Sequence, residues 1–152
     1  EMLRSLVGSE MCIRDRVYAD EISGRYGDVI NMWQPDVIMP VPIRVSKLKS
    51  RGYNQAGLIA ESLSKKLNIE YNEHSLIRTR ATSPMKDLND IQRTKNLEKA
   101  FKIAGNVIIY NKVLIVDDIY TTGTTIDACA ECLKRAGVKE VYAVTLCVGR
   151  GF

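Results

Sequence analysis

Apolar residues recur along much of the chain at the spacing of a helix face. From Tyr18 to Trp33 they stand three or four positions apart, and Pro35 ends the pattern. Two further stripes of this kind follow residue 55 and residue 125. The three predicted helix faces consist of Ala19, Ile22, Tyr26, Ile30 and Trp33, of Ala56, Ile59, Ala60, Leu63 and Leu67, and of Ile126, Cys129, Ala130 and Leu133.

Short aliphatic runs lie between these helices and predict strands. One covers residues 36–40 and is closed by Pro40 and Pro42, the next is Val113-Leu114-Ile115-Val116, and the last covers residues 140–148. Continuous aliphatic runs are typical of parallel strands that are buried on both faces. Because strands alternate with helices, the pattern predicts an α/β fold: a mostly parallel sheet of four or five strands flanked by helices.

Residues 1–16 follow neither pattern. The string from Ser5 to Arg16 is similar to adapter sequence that is sometimes translated at the ends of assembled environmental reads. We therefore predict that residues 1–16 are a non-native or disordered arm and that residues 17–152 form the domain. A genuine amphipathic arm is the alternative.

The amino-acid composition is typical of a soluble protein with a single domain. A chain of 152 residues with 45% hydrophobic and 26% charged residues is typical of one soluble domain. No apolar run approaches the roughly 20 residues of a membrane span, so we predict a cytoplasmic protein. Four cysteines are too few for a disulfide framework, and we expect reduced thiols. The Cys129-x-x-Cys132 pair has no second pair nearby and is interpreted as core packing rather than a metal site.

Two carboxylates directly follow the second aliphatic run, and a loop of threonines around a glycine follows them. Such a strand, loop and helix unit presents free backbone N–H groups and a positive helix dipole, which hold a phosphate monoester. Gly123 allows close approach of the ligand, whereas Asp117 and Asp118 suit sugar hydroxyls as acceptors. Helix capping without a ligand is the alternative. The predicted ribose 5-phosphate site consists of Asp117, Asp118, Ile119, Tyr120, Thr121, Thr122, Gly123, Thr124 and Thr125.

Positive charge is concentrated in the middle of the chain. Residues 41–102 hold thirteen Lys or Arg and six Asp or Glu, which favours a polyanionic ligand, either a pyrophosphate or a nucleic-acid backbone. Part of this charge lies in a predicted loop from Ile43 to Arg51, which follows the first predicted strand, where α/β proteins bind ligands. Residues 78–101 are polar and weakly periodic, as in a mobile loop that closes over a ligand. Solvated connections without a role are the alternative for both segments.

The segment from Val113 to Thr125 resembles the phosphoribosyl pyrophosphate (PRPP) signature of type I phosphoribosyltransferases. Over about residues 36–150 the chain is also similar to the ComF family of competence-associated proteins. Two departures are the absence of the family's amino-terminal zinc ribbon and Met85, which stands where many members have glutamine. The similarity rests on Pro40-Val41-Pro42, Arg51-Gly52-Tyr53-Asn54-Gln55-Ala56, Thr82-Ser83-Pro84 with Leu88, Arg93, Asn96 and Phe101, and Asp117 to Thr125.

The resemblance implies the type I phosphoribosyltransferase fold and PRPP binding with Mg²⁺. The implied reaction transfers the ribose 5-phosphate group and releases pyrophosphate, with Asp117 and Asp118 as catalytic residues that favour a positively charged transition state. Mg²⁺ would be held by the pyrophosphate, with no direct ligand from the protein. The other implied site residues are Pro42, Ile43, Arg44 and Arg51 at the pyrophosphate, and Arg80, Thr82 and Arg93 in the flexible loop.

A binding module is the second hypothesis. ComF-like proteins are associated with uptake of single-stranded DNA, so the scaffold could bind DNA, or other DNA-uptake proteins, without catalysis. Tyr53 and the basic loops support this hypothesis, although aromatic and basic residues are not densely interleaved. The acceptor of a transferred group is not predicted by either pattern or resemblance.

Overall fold

The computed structural model describes residues 2–79, 89, 91–92, 99–104 and 110–149, with side chains from residue 13 onward. Helices and strands both occur along this length. In chain order they are α1 (Met2–Trp33), β1 (Val37–Pro40), α2 (Val45–Arg51), α3 (Gln55–Leu67), β2 (Glu70–Tyr71), β3 (Leu76–Arg78), β4 (Phe101–Ile103), β5 (Lys112–Tyr120), α4 (Thr124–Arg135) and β6 (Glu140–Val148).

Four strands form a parallel sheet in the order β2-β1-β5-β6. β1 and β5 lie side by side at its centre, with Val37 opposite Val113 and Pro40 opposite Val116. β3 and β4 form a separate antiparallel pair. The prediction of an α/β fold with a mostly parallel sheet is therefore confirmed.

The sheet is covered on both faces, as the continuous aliphatic runs predicted. Because side chains alternate along a strand, Val113 and Ile115 face one layer and Leu114 and Val116 face the other. The first layer is formed mainly by α4 with β3 and β4, and the second by α1 and α3. Members of the first are Ala128, Cys129, Leu133, Leu76 and Phe101, and members of the second are Ile22, Ile30, Ile59, Ala60 and Leu63.

The first helix is longer than predicted. It begins at Met2, so the prediction that it begins at Tyr18 was wrong. Asp15 is 4% exposed and shares a helix face with Ala19 and Ile22. Because this buried position is an aspartate, the apolar spacing that predicted the helix does not extend to the turn of α1 that contains Asp15. Whether residues 1–16 belong to the native domain stays a prediction.

Two further boundaries differ from the predictions. Residues 45–51 were predicted to be loop but form α2, a helix too short to show a clear period. β5 was predicted to end at the two carboxylates but continues to Tyr120. The added length follows from pairing with β6, which extends to Tyr120 opposite Val148, and from the strand preference of Ile119 and Tyr120.

None of the helices in the described part of the chain is long and apolar enough to cross a membrane.

Candidate functional site

Two loops meet at the carboxyl edge of the sheet. Because β1 and β5 are parallel neighbours, the chain leaves both strands at the same edge. The pairing continues one residue past β1, where Val41 N–H donates to Val116 C=O at 2.8 Å. The segment Pro42-Ile43-Arg44 thus begins beside Asp117. The structure brings the two predicted loops together.

Asp117 is a half-buried carboxylate with an altered affinity for protons. Its Oδ1 accepts a hydrogen bond from the backbone N–H of Asp118 at 2.9 Å. Burial, and secondarily the adjacent Asp118 carboxyl group, raise the pKa of Asp117 to about 6, against the lowering effects of that backbone hydrogen bond and of Arg78. Asp117 can therefore be ionised at neutral pH and protonated at mildly acidic pH.

Arg78 belongs to this site although the sequence analysis did not assign it a role there. It is the last residue of β3, and its guanidinium carbon lies 5.2 Å from the centre of the Phe101 ring. Burial and then the positive charge of Arg44 lower the pKa of Arg78, whereas the charge of Asp117 raises it. The sequence carried no local signal for this placement, because β3 belongs to the separate antiparallel pair and not to the parallel sheet whose strand ends form the site.

Arg44 and Arg78 are close enough to influence each other's charge. Arg44 directly precedes α2 and is exposed, while Arg78 is half-buried, and its pKa responds to the charges of both Arg44 and Asp117. Two neighbouring positive charges repel, and a bound anion would offset that repulsion. Arg51 lies at the far end of α2, a helix of 7 residues, and is exposed there. Arg44 thus interacts with Arg78 at this edge of the sheet, and the assignment of Arg51 to the pyrophosphate stays a prediction.

The threonine loop joins β5 to α4 at the same edge of the sheet. Gly123 has a φ of 79° and caps α4, whose first turn presents backbone N–H groups without helical acceptors. Thr121 and Thr122 are exposed, and the hydroxyl groups of Thr122 and Thr124 are 3.0 Å apart. The loop therefore offers N–H donors and hydroxyl groups where β5 ends.

Arg80, Thr82 and Arg93, the predicted flexible-loop residues, lie outside the described residues. The same is true of Thr82-Ser83-Pro84, Leu88 and Asn96. Their assignment to a closing loop stays a prediction.

The residues present suit Mg²⁺ as a partner of a bound pyrophosphate. Asp117 and Asp118 supply only oxygen donors, the class that Mg²⁺ prefers, and Mg²⁺ usually keeps several water and phosphate ligands. Within the described ranges no group of three or more His, Cys, Asp or Glu could hold a metal ion by itself.

Cys129 is buried and Cys132 is half-buried. Both are free thiols, and burial raises the pKa of each.

The chain is similar to a known domain family and to several known proteins. The phosphoribosyl transferase domain matches residues 29–151. Competence protein F of Haemophilus influenzae is 36% identical over 109 residues, which are 70% of this chain and 48% of that protein. DNA utilization protein YhgH of Escherichia coli K12 is 36% identical over 113 residues, which are 74% of this chain and 49% of that protein.

Competence protein ComFC of Streptococcus pneumoniae is 33% identical over 106 residues, 70% of this chain and 45% of that protein. The chain thus spans about half the length of the curated relatives it matches. Their names confirm the resemblance to the ComF family.

Two solved structures share the fold. A purine phosphoribosyltransferase from Pyrococcus horikoshii has a TM-score of 0.54 and 22% identity, covering 88% of this chain and 74% of that chain. A hypoxanthine phosphoribosyltransferase from Staphylococcus aureus also has a TM-score of 0.54, with 15% identity over 91% of this chain and 65% of that chain. These similarities confirm the predicted phosphoribosyltransferase fold.

Proposed function

Because this chain belongs to the phosphoribosyl transferase domain family, we propose that the carboxyl ends of β1 and β5 bind PRPP together with Mg²⁺. One observation carries the proposal: the half-buried Asp117 carboxyl group interacts with both the adjacent Asp118 and the cation of Arg78, and a glycine-capped helix begins seven residues after it. This arrangement combines acceptors for sugar hydroxyls with two positive regions that suit anions. PRPP carries both kinds of group.

Each part of the ligand has a matching set of residues. Asp117 and Asp118 accept hydrogen bonds from ribose hydroxyls, which are neutral donors. The 5-phosphate lies against the N–H groups of residues 121–125, where the dipole of α4 favours negative charge. Arg44 and Arg78 bind the pyrophosphate, and Arg78 is positioned by its packing on Phe101.

The same groups support phosphoribosyl transfer. As the bond from the sugar to pyrophosphate breaks, positive charge develops on the ribose, and the ionised Asp117 stabilises this charge. With a pKa of about 6, Asp117 is predominantly ionised at pH 7 and above. Mg²⁺ on the pyrophosphate would stabilise the leaving group. Arg44 and Arg78 act on the same group from the protein side.

Calorimetric titration tests the proposal. PRPP should bind with a stoichiometry of one, and EDTA should weaken binding strongly. Asp118→Asn should reduce affinity by about 5- to 150-fold, which corresponds to one lost hydrogen bond to a charged acceptor of about 1–3 kcal/mol. Asp127→Asn, on the first turn of α4, is the matched control and should bind within about two-fold of wild type. Equal binding by the wild type and Asp118→Asn would show that the sugar lies elsewhere.

Single-stranded DNA is a second candidate ligand. The observation that favours it is the naming of the relatives as competence and DNA utilization proteins. In this chain, the exposed Lys47, Lys49 and Arg51 lie on α2, with Tyr53 just after it. An electrostatic DNA site should lose affinity steeply between about 50 and 200 mM salt. Binding that depends on Mg²⁺ and survives this salt change identifies the phosphosugar instead.

A further inference from the structure

The side chain of Tyr120 folds back over the threonine loop. Tyr120 ends β5, and three residues later Gly123 turns the chain into α4. A Cβ atom built on Gly123 would lie 2.7 Å from the Tyr120 hydroxyl oxygen and 3.1 Å from its Cζ and Cε2 atoms. The phenol ring therefore covers the face of Gly123 on which a side chain would stand.

The space left inside the loop is small. A cavity of about 20 Å³ is bounded by Asp117, Ile119, Tyr120, Thr121, Gly123, Thr125 and Ile126. One water needs about 10–15 Å³ measured in this way, so the cavity has room for a single water rather than for a phosphate group with its oxygens. The loop also satisfies part of its own hydrogen bonding, because the Thr122 and Thr124 hydroxyl groups pair with each other.

Movement of the ring is a small change that would enlarge this cavity. The other residues around the cavity belong to β5, to the loop and to the first turn of α4. Tyr120 is only half-buried, and no residue in the described part of the chain is hydrogen-bonded to its hydroxyl group. Rotation about the side-chain torsions of Tyr120 therefore breaks no polar contact in the described part of the chain.

We propose that Tyr120 is a gate on the phosphate loop, which a phosphate group must displace before it reaches the N–H groups at Gly123. The inference rests on the proposed phosphosugar site and adds a specificity-determining residue to it. The closed form competes with the ligand, so the apparent dissociation constant equals the intrinsic constant divided by the fraction of open protein. The ligand class is a phosphate monoester, with ribose 5-phosphate as the simplest member.

The test compares Tyr120→Ala, which removes the ring, with Tyr120→Phe, which keeps the ring and removes only the hydroxyl group. If the open form is about 10–20% of wild type, Tyr120→Ala should bind ribose 5-phosphate about 5- to 10-fold more tightly and associate faster. Tyr120→Phe keeps the ring and should therefore bind ribose 5-phosphate more weakly than Tyr120→Ala does. Weaker or unchanged binding by Tyr120→Ala would show that the ring supports the ligand or is irrelevant to it, and would overturn the gate.

A second measurement does not depend on affinity. In the ligand-free protein, the ring current of Tyr120 should displace the NMR signals of Gly123 relative to those in Tyr120→Ala. Ribose 5-phosphate should move the wild-type signals toward the Tyr120→Ala positions. If wild type binds ribose 5-phosphate but the Gly123 signals do not move this way, the gate fails and the proposed function stands. If neither protein binds ribose 5-phosphate or PRPP, both fail.

Discussion

Replacement of Asp117 by asparagine should stabilise the protein while it damages the site. Burial raises the pKa of Asp117 from 3.8 to about 6, so the ionised carboxylate costs stability in the folded state. A shift of this size corresponds to at most about 3 kcal/mol. Because the group is only half-buried, solvent screening reduces the expected gain on neutralisation to about 1–2 kcal/mol. Asparagine keeps the oxygen that accepts the Asp118 N–H.

The direction of the pH dependence follows from the raised pKa. Below about pH 4, Asp117 is protonated in both the folded and unfolded states and contributes no difference. Between pH 4 and 6 the unfolded chain releases its proton first, so the carboxyl group increasingly destabilises the fold, and above pH 6 the full cost is present. Asp117→Asn avoids this cost. The free energy of unfolding of Asp117→Asn should therefore exceed that of wild type by the largest amount at pH 8, and by about half that amount at pH 5.

Thermal unfolding followed by circular dichroism measures this advantage. At pH 8 the melting temperature of Asp117→Asn should exceed that of wild type by about 2–8 °C, given the size of the domain. Asp28→Asn, the same change at an exposed position of α1, is the control and should shift it by less than about 2 °C. A lower melting temperature for Asp117→Asn at pH 8, or an advantage that grows toward pH 5, would refute the reasoning.

Three further predictions concern other parts of the molecule. Arg78→Met should weaken PRPP binding by at least about 10-fold by calorimetry, since hydrogen bonds to charged groups contribute about 1.5–3 kcal/mol. Lys102→Met is the control at an exposed position of the neighbouring strand β4, and it should leave PRPP binding unchanged. Deletion of residues 1–16 should leave the melting temperature within about 5 °C of wild type, and a larger loss would place that segment in the domain. Replacing Cys129 and Cys132 by alanine should cost about 1–2 kcal/mol, and stoichiometric zinc in the purified wild type would contradict their assignment as packing residues.

The sequence predicted those features that depend on local patterns. Aliphatic runs located β1 and β5 because buried parallel strands need apolar side chains on both faces, and the acid pair with its glycine located the loop after β5. Arg78 could not be assigned in this way, since its proximity to Asp117 results from the placement of β3 against the sheet. The folding of Tyr120 over Gly123 is likewise a side-chain conformation that spacing does not specify. The length of β5 depended on its pairing with β6.

Calorimetric titration of PRPP with Mg²⁺ into wild type and Gly123→Val tests the central claim most directly. Gly123 has a φ of 79°, and valine there would be strained and would meet the Tyr120 ring at the phosphate loop. Gly137→Val is the matched control, because Gly137 has a φ of 110° with no atom within 4 Å of an added Cβ and lies at the opposite edge of the sheet. We predict that wild type and Gly137→Val bind PRPP and that Gly123→Val, still folded, does not. Equal binding by Gly123→Val would place the phosphosugar site elsewhere.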